Sequence, residues 1–102
     1  MKPPENFSSI VDNVEYNTGT ATLIAHDAYL PEGSSERSGK NTFLYRTPDG
    51  AYFLVDVTIW PNEKDTLTPV NSAEAIRLYG ESLTEHVVDF KQAFPGEPIA
   101  DA

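Results

Sequence analysis

The chain has 102 residues, no cysteine, 16 acidic against 7 basic side chains and a formal net charge of -9. That length suits one domain around a single modest core, and the lack of cysteine excludes a disulfide framework, a thiol nucleophile and a cysteine-built zinc or iron–sulfur site, while fitting a reducing compartment. The acidity argues against direct contact with nucleic acid or an anionic membrane, which call for Lys/Arg clusters, and favours a basic protein as partner.

Residues 1–10 are Pro-rich and polar and read as an unpacked tail. Met1-Lys2-Pro3-Pro4-Glu5 leads into no apolar stretch, so no secretory signal is expected. No run approaches the roughly 18 apolar residues of a membrane span. A cytoplasmic location is therefore expected, and the triplet Asn6-Phe7-Ser8 is read as a coincidental match to the glycosylation pattern.

Val14-Glu15-Tyr16 and Thr20-Ala21-Thr22-Leu23-Ile24-Ala25 flank Asn17-Thr18-Gly19. Strand-favouring residues around an Asn/Gly turn predict a hairpin, with a short helix over 20–28 as the competing reading. Residues 31–41 are small and polar and read as a loop, carrying the cations Arg37 and Lys40.

The strongest local signal is Phe43-Leu44-Tyr45-Arg46-Thr47, then Pro48-Asp49-Gly50, then 51–60. Pro presets the turn, Asp caps it and Gly takes the positive-φ position. With Thr47 opposite Ala51, Tyr45 faces Phe53 and Phe43 faces Val55. Val57 and Ile59 extend that face, which predicts the core. The other face holds Leu44, Arg46, Tyr52, Leu54, Asp56, Thr58 and Trp60. Either a helix covers it, or it is an open patch with aromatic and Arg anchors for a partner.

Pro61 ends the strand, and 62–69 reads as a charged connection. Asn71 with Glu74 predicts a capped helix running to Tyr79 and stopping at Gly80. Ser82 with Glu85 predicts a second helix from Leu83 to Phe94, closed by Pro95-Gly96. The apolar spacing also allows one bent helix over 72–94. The chain after 96 reads as a flexible tail. On the second helix Glu81, Glu85 and Asp89 would form an acidic stripe, each like-charged pair costing about 0.2–0.5 kcal/mol. Such a stripe suggests a docking surface for a cationic partner; an ordinary solvated face is the plain alternative.

There is no GxSxG, phosphate-cradling glycine loop, dinucleotide fingerprint or HExxH, so no enzymatic activity and no cofactor is expected. No metal site is expected either, since the 2 histidines lack ligand spacing. His86 with Asp89, and His26 beside Asp27, are the nearest approach to one.

The stretch from Phe43 to Leu54 resembles a pattern in small, largely uncharacterised bacterial and mobile-element proteins. These pair an LYRT-x-x-G-x-YFL hairpin with an upstream segment like Tyr16-Asn17-Thr18-Gly19-Thr20-Ala21 and an acidic helix like that around Glu74-Ala75-Ile76. The resemblance spans 14–94 in outline, though only the hairpin is specific. It implies an α+β fold with C-terminal helices, and an accessory role in a phage or plasmid. It implies no activity.

The expectation is a single α+β domain over 1–102, an antiparallel sheet centred on 43–60 and packed by helices 72–79 and 83–94. Its function is expected to be protein binding through Glu81, Glu85, Asp89, Leu44, Arg46, Tyr52 and Trp60. In its sharper form, it inhibits a host nucleic-acid-binding or defence protein, such as a CRISPR effector, by presenting carboxylates where phosphates would sit. The alternatives are a small-ligand or metal-binding protein built on His26, His86 and the 31–41 loop, or a homo-oligomer burying the Leu44/Leu54/Trp60 face.

Overall fold

The computed structural model describes residues 3–27, 40–58, 60 and 62–97. Across them the strands are β1 (Ser8–Val11), β2 (Val14–Asn17), β3 (Thr22–His26), β4 (Lys40–Arg46), β5 (Tyr52–Thr58), β6 (Thr66–Val70) and β7 (Glu85–His86). Two helices, α1 (Ser72–Glu81) and α2 (Phe90–Ala93), complete an α+β architecture. A five-stranded antiparallel sheet runs β6-β5-β4-β3-β7, and β1 pairs β2 in a separate ribbon. The loop expected at 31–41 lies outside the described residues as far as position 39, and β4 begins at Lys40.

The central hairpin has the expected register. Phe43 pairs Val55, Tyr45 pairs Phe53 and Arg46 pairs Tyr52. The Thr47 amide donates to the Ala51 carbonyl at 2.8 Å and the Gly50 amide to the Thr47 carbonyl at 2.9 Å, with Gly50 at φ +89°. A three-residue loop ending on a left-handed glycine matches the twist of the strands it joins.

Both faces of this hairpin are buried. Phe43, Tyr45, Phe53 and Val55 form one core, with Phe7, Tyr16, Ala21, Leu23, Val57 and Leu67 packed against it. Leu44 and Tyr52 belong to a second core with Ile24, Ala25, Ala75, Tyr79, Leu83, Ala93 and Phe94. The sheet is thus the middle of three layers, between the β1–β2 ribbon on one face and α1 and α2 on the other. Fully burying a Phe or Leu side chain is worth about 1.5–3 kcal/mol, so the two faces supply comparable driving force.

Five expectations are corrected. The 1–10 tail is ordered from Pro3 onward: Ser8–Val11 pairs Val14–Asn17, and the Phe7 amide and Thr18 hydroxyl meet at 2.9 Å. The turn is Asp12-Asn13, both at positive φ (52° and 66°), which short polar side chains tolerate. Val14–Asn17 therefore pairs backward in the chain, and Thr22–His26 joins β4 rather than forming a hairpin with it or a helix.

Residues 66–70 are a strand, not only a connection. Pro69 is tolerated there because β6 lies at the sheet edge. The Asn71 side chain caps α1 by accepting from the Glu74 amide at 2.8 Å, as expected, but the helix runs through Gly80 to Glu81.

The second helix is the largest correction. Leu83 is buried, Glu85–His86 turns into a strand against β3, and only Phe90–Ala93 is helical. Three forces oppose the long helix. Thr84, Val87 and Val88 are β-branched. The repeated carboxylates repel at helical spacing. The short Asp89 side chain prefers an N-cap, where it accepts from the Gln92 amide at 2.9 Å.

Candidate functional site

The acidic stripe does not form. Glu81 closes α1, Glu85 lies in β7 opposite His26, and Asp89 caps α2, so the three do not share a helical face. Leu44 is completely buried and Tyr52 is 7% exposed. The Tyr52 hydroxyl donates to the Ala93 carbonyl at 2.8 Å, binding sheet to α2. Neither is available to a partner, and the Leu44/Leu54 face cannot serve a homo-oligomer because residues of α1 and α2, with Leu83 and Val88, cover it.

The histidines part company as well. His86 pairs across from Ala25 and stacks on Tyr79, on the helix-covered face. His26 faces the other way, its ring 5.6 Å from Phe43. Among the described residues no three of His, Asp and Glu converge on a point that could hold a metal. The Asp27 carboxylate is used locally, accepting from the Thr42 amide at 2.7 Å. Burial first, and the Asp89 charge second, raise the Tyr79 phenol above its ordinary value.

Trp60 and Arg46 remain, at opposite ends of the central hairpin. Trp60 follows the end of β5 and is 48% exposed. Its amide donates to the Thr58 hydroxyl at 3.1 Å, and its carbonyl accepts from the Glu63 amide at 3.1 Å. The Thr58 hydroxyl donates in turn to Glu63 at 3.3 Å, and the Asp65 carboxylate accepts from the Thr58 amide at 3.0 Å. A large half-exposed aromatic residue thus follows β5, next to a Thr58 that both Glu63 and Asp65 bond.

Arg46 ends β4 and pairs Thr22 on one side and Tyr52 on the other, so it lies on the helix-covered face. The neighbouring strand carries a bulge between Leu23 and Ala25. Strict alternation would send Ile24 and Ala25 to opposite faces. The extra residue puts both into the same core, and the Ile24 carbonyl accepts from the Val87 amide at 3.0 Å.

Beside this bulge a depression of about 330 Å³ is lined by Thr22, Ile24, Arg46, Val88 and Gln92. The Arg46 Nε is buried and has no hydrogen-bond partner. Leaving a buried donor unsatisfied costs about 1–3 kcal/mol, more for a charged group. Sequence reasoning singled out Arg46 but not the depression, which depends on a bulge that no residue pattern announced.

A wider, more open groove of about 580 Å³ runs along Pro69, Val70, Asn71, Ala73, Glu74 and Arg77. Its polar groups satisfy one another. Arg77 grips Glu74 in a two-pronged pair at 2.6 and 2.9 Å, and this bond draws the Glu74 carboxyl below its ordinary value.

Comparison of the chain with protein-family models, with curated proteins and with solved structures found no match in any of the three. Among the described residues no helix is long and apolar enough to cross a membrane.

Proposed function

We propose that this chain is a non-enzymatic protein-binding module that docks a basic protein through the Trp60 turn. One observation carries this reading: Trp60 is 48% exposed, its amide and carbonyl are both hydrogen-bonded, and the carboxylates of Glu63 and Asp65 bond the nearby Thr58. Tryptophan is among the residues that dominate binding energy, because it buries a large area with few rotatable bonds. The hydrogen bonds already made by Thr58, Trp60 and Glu63 reduce the entropy lost on docking. The net charge of -9 favours encounter with a cationic surface over a nucleic acid.

This reading keeps the acidic partner surface expected from the sequence and moves it from residues 81–89 to the turn around Trp60. A cationic partner that ordinarily grips phosphates, such as a host nucleic-acid-binding or defence protein, suits it. The resemblance of the hairpin to mobile-element proteins supports an accessory role of that kind.

The experiment is affinity capture from host lysate at low and high salt, with the full chain beside Trp60→Ala and the pair Glu63→Gln/Asp65→Asn. A basic protein is expected that is lost at high salt, lost with Trp60→Ala and weakened by the pair. The same proteins captured by all three chains would overturn the Trp60 surface.

A further inference from the structure

We propose that the depression over Arg46 is a binding site for a small monocarboxylate with a short branched or linear aliphatic body. The site lies about 20 Å from the Trp60 turn, the length of a seven-residue strand, and does not depend on it.

The cation comes first. Arg46 is held in place by its strand pairing to Thr22 and Tyr52, and its Nε is buried without a partner. In a chain with 16 acidic side chains, a guanidinium could readily find a carboxylate of its own. None of the described residues lining the depression carries one. Asp89, next to Val88 in the chain, is committed to the Gln92 amide at 2.9 Å. Arg46 thus lines the depression with an Nε that has no acceptor of its own. Its planar fork matches a carboxylate, which can take two parallel hydrogen bonds.

The walls define the rest of the ligand. Ile24 and Val88 supply apolar surface, and Thr22 and Gln92 supply a hydroxyl and a carboxamide at the rim. A volume of about 330 Å³ sits at the small end of ligand pockets. One cation and two aliphatic walls suit one negative charge on a short hydrocarbon body. A phosphate dianion suits it less. It would bring a second charge that the site does not balance, into the field of a strongly acidic protein.

The bulge explains how the site arises. It turns Ile24 towards the helix-covered face, and the Ile24 carbonyl takes the Val87 amide, which brings Val88 over the end of β3. Bulges recur beside binding sites because they re-aim side chains in this way. Gly50 adds room at the guanidinium itself: a Cβ there would stand 3.3 Å from the Arg46 Nη2.

The test is amide-correlation NMR of the isotopically labelled full chain, titrated with isobutyrate, inorganic phosphate and chloride at matched ionic strength. Isobutyrate is expected to give saturable shifts, in the millimolar range, confined to Thr22, Ile24, Arg46, Val88, Gln92 and their neighbours. Arg46→Gln is expected to weaken it on the order of tenfold or more.

Gln92→Glu keeps Arg46 and sets a carboxylate at the rim. It is expected to weaken isobutyrate too, and it decides the matter if Arg46→Gln fails to fold. Shifts that grow linearly and equally with chloride would overturn the proposal. So would undiminished binding to a folded variant, or phosphate binding as tightly as isobutyrate.

Discussion

The His86 ring lies flat on the Tyr79 ring, with centroids 3.7 Å apart and planes 11° apart, while its Nε2 donates to the Tyr79 backbone carbonyl at 2.7 Å. One side chain thus stacks on the end of α1 and also satisfies a carbonyl that the helix leaves open there. The Tyr79 hydroxyl donates to the Val88 carbonyl at 2.7 Å and closes the loop from the other side. These contacts reverse the chain after α1 and lay β7 against β3.

His86→Ala removes both the stack and the hydrogen bond. It is expected to cost about 1–3 kcal/mol by chemical denaturation. His86→Phe keeps a ring on Tyr79 and should recover part of that loss. Equal stability of the Ala variant and the wild type would show that β7 is held by its strand pairing alone.

The acidic residues that a helical spacing would group should separate by role. Asp89→Ala removes the α2 cap and is expected to cost about 1 kcal/mol, while Asp89→Asn, still able to cap, should cost little. Glu81→Gln and Glu85→Gln are expected to stay within about 0.5 kcal/mol of wild type, as surface substitutions do. Were the three a helical stripe, neutralising any of them would raise stability by relieving repulsion. Thermal denaturation of the four variants separates the two patterns.

The hairpin and the α1 cap were legible because each rests on local chemistry. Pro48-Asp49-Gly50 set the turn, and alternation then set the register from Phe43 to Val55. Asn71 and Glu74 marked the helix start three residues apart. The failures share a different cause. Leu83, Val87, Phe90 and Phe94 fall at helical spacing, yet Val87 is 53% exposed while Leu83 and Phe94 are buried by reversing the chain.

Spacing alone could not separate one apolar stripe from two segments meeting in space. The Pro-rich, polar composition of residues 1–10 points to a tail and masks the strand that the two-residue turn Asp12-Asn13 returns upon. Of the candidate site, the alternation along the hairpin points to Arg46 and Trp60. What surrounds Arg46 arises from the Leu23–Ala25 bulge, settled by pairing between distant strands, and what surrounds Trp60 arises from side-chain hydrogen bonds of Thr58, Glu63 and Asp65 that residue types alone do not announce.

Gly50 is constrained in two ways. Its φ of +89° lies where a side chain is strained, and a Cβ would meet the Arg46 Nη2 at 3.3 Å. Gly50→Ala is expected to cost about 1–2 kcal/mol from the backbone alone. That corresponds to a drop in Tm of roughly 4–8 °C for each kcal/mol in a domain of this size. An unchanged Tm would mean that the turn relaxes to another type at no cost.

Tyr45 gives the protein a defined alkaline limit. The side chain is 3% exposed, stacks on Phe53 with centroids 5.2 Å apart, and its hydroxyl donates to the Pro4 carbonyl at 3.3 Å. Burial pushes its phenol from 10.0 up to about 12. The folded state therefore holds this proton more tightly than the unfolded chain does. Its contribution to stability is complete below pH 10.0 and is lost as the pH rises towards about 12.

Tyr45→Phe keeps the ring and removes the proton. The gap in stability between wild type and variant should be small at neutral pH and move in favour of the variant between pH 10.0 and about 12. Urea denaturation of both chains across that range reads the difference, with tyrosinate absorbance reporting ionisation. A gap that stays constant with pH would show that Tyr45 ionises without first leaving its core.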